Sequence, residues 1–203
     1  YNKELIQTLI KNQISKNYNI NIKFNEKINY GLLPKPHFFS KNLSIMNEGN
    51  EIGVSKNLKI HIGVGKFFSF NEIDMKNLLF NKTDFNIQLK DIIYFKKLLQ
   101  TAPNENEILF KNSTLFFKDK NDEVLFINKI NDSRFFYDSN NLQNILVSKN
   151  EVFKVPFKLI IKNDKFNKKI FTEFDSKKIR LKIDNEINYD GITQDGLLDI
   201  LFI

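Results

Sequence analysis

The sequence predicts a mainly β chain: one N-terminal amphipathic helix followed by a long antiparallel β-meander. Three observations carry that prediction. Near the start, Leu5, Ile6, Leu9, Ile10 and Ile14 recur at three- and four-residue spacing, which gathers them on one side of a helix. From Ile20 onward the dominant period is two, the spacing that sends alternate side chains to opposite faces of a strand. Between the alternating runs stand clusters of Asn, Asp, Gly and Lys, of which the first three supply the backbone freedom that turns require.

The helix is expected over residues 1–17. Lys3, Glu4, Lys11 and Lys16 occupy its polar side, Asn2 is a candidate N-cap, and Asn17-Tyr18-Asn19 ends it because Asn tolerates left-handed backbone. The sheet is expected over residues 20–203. Ile20, Ile22, Phe24, Ile28 and Tyr30 alternate with polar residues, and Pro34 and Pro36 then interrupt the ladder, since neither has an amide to donate. A turn is expected at Asn47-Glu48-Gly49-Asn50, followed by the most regular strand, Ile52 to Val64. Phe68 and Phe70, Met75 to Phe80, and Phe85 to Leu89 continue the pattern.

A short helix is expected near 91–100, with Ile92, Phe95, Leu98 and Leu99 on one side and Ala102-Pro103-Asn104 closing it. Strand patterns resume at 108–118, 123–130 and 133–138. Phe153, Val155, Phe157, Leu159 and Ile161 form one alternating run with Pro156 on its other face. Phe166, Ile170 and Phe174 follow, then Ile179, Leu181, Ile183 and Ile187. No linker, low-complexity tract or strict repeat divides residues 1–203, which are expected to form one region.

Composition narrows the chemistry. The chain has 203 residues, 41% of them apolar, enough for a sizeable buried surface. It contains no cysteine, which removes disulfides, thiolate nucleophiles and Cys-based metal sites. The net charge is +7, but lysines and acids are interspersed without a basic block, as expected of a solvated face rather than a nucleic-acid interface. The many Lys, Asn, Ile and Phe residues also match a drift toward A/T-rich codons, which raises basicity without selecting for it. No apolar run approaches the roughly 20 residues that a membrane-spanning helix needs. The chain begins at Tyr1 and stops at Leu201-Phe202-Ile203, so it is expected to be part of a longer protein with an apolar span before Tyr1.

No motif points to catalysis. His37 and His61 are separated in sequence, and His61 lies on the polar side of its strand. Asp119 and Asp122 fall in a turn-forming stretch without the layout of a calcium loop. Gly63-Val64-Gly65 is followed by no Gly-Lys-Ser/Thr, and no GxSxG elbow is present. The interleaved Lys66-Phe67-Phe68 is explained by strand alternation. The chain is therefore expected to be non-enzymatic, without cofactor or metal.

A sheet with one continuous apolar face must hide it. Each Leu, Ile or Phe buried contributes roughly 1.5–3 kcal/mol, and the two expected helices are too short to cover every strand. Periodicity leaves two solutions open: a sandwich closed on itself, or a trough whose lining meets a non-protein ligand.

The opening segment, ELIQTLIKNQISKNYNINIKFNEKINYGLLPKPHFFSKNLSI, resembles the N-terminal region of the AsmA family. That family places a helix after a membrane anchor, then a short strand pair, then a proline-containing stretch matched here by Tyr30-Gly31-Leu32-Leu33-Pro34-Lys35-Pro36. Ile52 to Val64 and Ile73 to Leu89 match its following strands; beyond them only the β pattern continues. Asn17-Tyr18 and Glu26-Lys27 stand where the family commonly has Gly. The resemblance implies a periplasmic protein tethered to the inner membrane, with a curved sheet forming an open apolar groove that shields the acyl chains of phospholipid or another acyl lipid. It also implies a role in outer-membrane biogenesis, with no active-site residues. On that basis the groove is expected to be lined by Val54, Leu58, Ile60 and Ile62; by Phe85, Ile87 and Leu89; by Phe153, Val155, Phe157, Leu159 and Ile161; and by Ile179, Leu181 and Ile183. The alternative is a structural β-sandwich module of a surface or adhesion protein.

Overall fold

The computed structural model describes residues 3–63, 73–100, 106–189 and 195–202. Helix α1 (Lys3–Tyr18) buries Ile10, Ile14 and Tyr18 and leaves Leu5 exposed, so its apolar stripe runs one turn further than the spacing predicts. It stops where expected. Asn19 takes φ +55°, and its amide donates to the Ser15 carbonyl at 3.0 Å.

The strands follow as β1 (Asn21–Phe24), β2 (Asn29–Gly31), β3 (His37–Asn47), β4 (Asn50–Ile62) and β5 (Met75–Gln88). A one-turn 3-10 helix (Leu89–Asp91) leads into α2 (Ile92–Leu99). After it come β6 (Glu107–Lys118), β7 (Val124–Asp138), β8 (Gln143–Val152), β9 (Val155–Asp164), β10 (Lys169–Ser176), β11 (Leu181–Asn188) and β12 (Asp195–Phe202). The Phe68 and Phe70 run, the Val64-Gly65 pair and the Ala102-Pro103-Asn104 stop lie outside the described residues.

All 12 strands belong to one curved, open sheet, ordered β1-β3-β4-β5-β6-β7-β8-β9-β10-β11-β12 with β2 paired to β3. It does not close into a barrel. Neighbouring strands are antiparallel except β5 and β6, which run parallel with Leu78 opposite Ile108 and Phe85 opposite Leu115. The expected antiparallel order departs at this one pair, because parallel strands need a crossover and α2 lies within it.

Tight turns set the register elsewhere. Glu48 (φ +49°) and Gly49 (φ +89°) form the two-residue loop between β3 and β4, and Phe153 (φ +50°) and Lys154 (φ +62°) that between β8 and β9. Both central residues are left-handed, the geometry that matches the right-handed twist of a hairpin. A β-bulge at Ile45/Met46 buries the extra residue Ile52. Beside it, Gly53 lies opposite Phe85, where an added Cβ would stand 2.8 Å from the ring.

Cross-strand pairs trace one inner face through the whole sheet. Phe38, Ile60, Leu78, Ile108, Phe135, Leu146 and Ile161 succeed one another in register from β3 to β9. Leu159, Phe174, Ile183 and Ile200 continue the face from β9 to β12. On β3, β5 and β6 the parity of this face slips by one residue, at Asn42 (φ +48°), Lys82 (φ +57°) and Asn112 (φ +49°). On β7 it slips at the bulge between Ile130 and Asp132. Ser40, Ser55, Thr83, Ser113, Ser133 and Ser148, all buried, line up across β3 to β8 beside this line.

Candidate functional site

The inner face has three stretches with different cover. Over β3 to β5 the α1 residues Ile10, Ile14 and Tyr18 join Leu43, Ile45, Leu58, Ile60, Leu78 and Phe80 in one closed core. Leu58, Ile60, Ile62, Phe85 and Ile87 are on the expected face, but they are core residues there, with Ile60 0% exposed. A helix therefore occupies the place where the resemblance implies lipid.

Over β6 to β8 the cover is partial. Helix α2 lays Tyr94, Phe95, Leu98 and Leu99 toward the sheet, while Ile92 and Ile93 are exposed. The expected helix face is corrected at Ile92: the 3-10 turn ahead of the helix offsets the start of its stripe, and Tyr94 takes the inward place. Phe85 meets Phe95 edge-on at 6.3 Å and Phe110 at 5.5 Å. The end of α2 is tied across the sheet, because the side-chain amides of Asn144 on β8 and Asn163 on β9 both donate to the Leu99 carbonyl at 2.9 Å. That carbonyl is one of those a helix C-terminus leaves unpaired. Tyr189 donates in turn to Asn163 Oδ1 at 2.9 Å.

Between α2 and the strands lies a cavity of about 190 Å³, bordered by Phe95, Leu115, Ile130, Leu146, Leu159 and Ile161, with Asn128, Ser133, Ser148 and Asn150 as polar members. No charged side chain lines it. Burial pushes the Tyr94 phenol well above its ordinary range, so this lining residue stays neutral.

Beyond the part of β9 that borders this cavity, no described helix covers the inner face of β9 to β12. Val155, Phe157, Leu159, Ile161, Leu181 and Ile183 lie on the inner face of β9 and β11, half-buried, with Phe157 packed on Phe174 at 4.8 Å. The face ends at β12, whose Leu198, Ile200 and Phe202 are exposed.

Four expected lining residues lie elsewhere. Val54 pairs with Ser44 and Asp84 on the outer face, because the parity slip beside Lys56 puts Gly53 and Ser55 inward instead. Leu89, 73% exposed, belongs to the 3-10 turn and not to a strand. Phe153, 79% exposed, sits at the tip of the β8–β9 hairpin, where its positive φ breaks the alternation it shares with Val155. Ile179, 46% exposed, falls in the turn before β11.

The outer face carries the charge. Lys162 pairs with Glu173 at 2.7 Å, Lys129 with Glu151 at 3.2 Å, Lys169 with Glu186, and Arg134 with Glu107. Pairs of this kind on a solvated sheet are worth about 0–1 kcal/mol each and serve mainly to keep that face wet. His37 and His61, distant in sequence, are direct partners across β3 and β4, with ring centroids 6.2 Å apart. Burial lowers the His61 pKa, the hydrogen bond from its side to Asn77 opposes that shift, and Lys59, His37 and Lys35 reinforce it. Among the described residues no group of three or more His, Asp or Glu could hold a metal ion, and no helix is long and apolar enough to cross a membrane.

The buried hydroxyl row is the feature the sequence reading missed. Its signal is a polar triplet in the middle of six successive strands: Ser40-Lys41-Asn42, Ser55-Lys56-Asn57, Asn81-Lys82-Thr83, Lys111-Asn112-Ser113, Asn131-Asp132-Ser133 and Ser148-Lys149-Asn150. In comparisons with known proteins, no family model matches the chain and no curated protein matches it in sequence.

Proposed function

We propose that this chain is a non-enzymatic envelope protein whose inner sheet face binds the acyl chains of phospholipid or another acyl lipid and conducts them between inner and outer membrane. One observation carries the reading: on β9 and β11 the inner face keeps Val155, Phe157, Leu181 and Ile183 only half-buried, with no described element over them, and Leu159 and Ile161 lead from there into the cavity beside α2. Covering such side chains gains roughly 25 cal/mol per Å² of apolar surface, which a chain of methylenes supplies without needing any hydrogen bond from the sheet. The uncharged cavity beside α2 prolongs the same strip. The AsmA-like opening segment supports a periplasmic place, an inner-membrane anchor ahead of Tyr1 and a part in outer-membrane biogenesis.

The test is lipid extraction and native mass spectrometry of protein expressed in a Gram-negative envelope. Co-purified acyl lipid in a defined mass ratio is the expected result. A protein-covered face, as in a structural module of a surface protein, is favoured by β12, where Leu197 and Leu201 are exposed on the outer side as well. That reading gives lipid-free oligomers in the same measurement.

A further inference from the structure

The cavity beside α2 holds a polar pair that its apolar walls do not explain. Asn128 on β7 and Asn150 on β8 both border it, and Asn150 is only 3% exposed. The Asn128 amide nitrogen donates to Asn150 Oδ1 at 3.4 Å, and the Ser148 hydroxyl donates to the same oxygen at 3.0 Å. Asn128 Oδ1 and Asn150 Nδ2 are buried and meet no partner in the protein. Turning both amides over does not relieve this. Asn150 would then donate to Asn128 and Ser148, leaving Asn150 Oδ1 and Asn128 Nδ2 unfilled instead. In either arrangement one donor and one acceptor remain unfilled, on two residues that border a cavity whose other walls are Phe, Tyr, Leu and Ile with Ser133 and Ser148.

Buried polar groups are nearly always hydrogen-bonded, and ligand cavities are typically apolar with a few polar groups that fix orientation. We infer that this pair recognises the polar end of the ligand in the trough, and that this end is an uncharged acyl ester with a free hydroxyl beside it, the chemistry of an acylglycerol. The ester carbonyl accepts from the free amide N–H, and the hydroxyl donates to the free amide oxygen. The acyl chain runs on along Leu159 and Ile161 toward the open strands. An ionised carboxylate is disfavoured, because no cation lines the cavity to compensate its desolvation. The inference rests on the trough reading and adds a headgroup to it.

The experiment is displacement of an apolar fluorophore from the protein at pH 8 by octadecene, methyl oleate, oleate and monooleoylglycerol. Monooleoylglycerol is expected to displace at about tenfold lower concentration than octadecene, the gain of two neutral hydrogen bonds, with methyl oleate between them and oleate weaker than monooleoylglycerol. Asn128→Leu combined with Asn150→Leu is expected to erase that advantage and leave octadecene unchanged. Equal displacement by all four on the unmodified protein overturns the inference, since water then serves the two amides; an advantage that survives in the double variant also overturns it. Failure of octadecene to displace the fluorophore at all, while monooleoylglycerol also fails, removes the trough reading together with its headgroup.

Discussion

The Thr83 hydroxyl donates to the Ser55 hydroxyl at 2.9 Å in the buried middle of the sheet, while the Thr83 amide donates to the Ser113 hydroxyl at 3.2 Å. The Ser55 hydroxyl donates in turn to the Asn57 carbonyl at 3.1 Å. This relay crosses three strands along the line where β5 and β6 take positive φ, so the backbone irregularity and its hydrogen-bond compensation occur together. Thr83→Val should cost about 1 kcal/mol, seen as a lower urea midpoint at unchanged slope. Lys82→Gly should be neutral or slightly stabilising, whereas Lys82→Ile should cost about 1–2 kcal/mol, because a β-branched residue resists φ +57°.

The covered and open ends of the inner face should answer differently to charge. Ile60→Asp places an unpaired carboxylate in a closed core and should destabilise by about 4 kcal/mol or more, enough to unfold the domain in thermal melting. Phe157→Asp sits at the open end, loses its contact with Phe174 and should cost about 2 kcal/mol or less. The same variant should lower acyl-lipid binding while retaining the β circular dichroism. Equal stability losses at the two positions would mean that the β9–β12 face is as closed as the core under α1.

Helix α2 is held by two amides on one carbonyl. Asn144→Leu should remove one of them at a cost of about 1–2 kcal/mol. Hydrogen exchange should quicken over residues 92–99 and stay unchanged over α1. Uniform acceleration in both helices would show that α2 does not open separately.

His61 makes stability depend on pH in a definite direction. Because burial holds the folded-state pKa of His61 below its unfolded value near 6.5, the unfolded chain binds more protons between the two values. Stability is then fully present above the unfolded pKa and falls as the pH drops through it toward the folded value. Melting temperature should therefore decline between pH 7.5 and 5.5, and His61→Gln should flatten that decline.

The β content was legible because alternation holds on either side of each parity slip, and the stop of α1 was legible because Asn19 is a residue that takes left-handed backbone. Parity was not. Val54 and Leu58 share even numbers, so the run from Ile52 to Ile62 looks unbroken, yet the chain changes face beside Lys56. The hydrophobic pattern carries no mark of that slip; only the polar triplets do, and they are visible as a set once the strands are aligned. Phe153 was misassigned for a related reason, since alternation says nothing of the φ at a hairpin tip. The parallel β5–β6 pair had a readable cause, a helix between two strands, which a meander does not need. The open face that runs on to β12 follows from topology: the two helices are spent on β3 to β8 and the near part of β9, and no periodicity in the later strands records that.

The most direct test places a photo-crosslinking residue at Leu159 and, separately, at Ile160, neighbours on β9 that point to opposite faces of the sheet and are both half-buried. Illumination in the bacterial envelope, followed by mass spectrometry, should give acyl-lipid adducts at position 159 and none at 160. Lipid adducts at both positions, or protein adducts alone at 159, would contradict a lipid-bearing inner face.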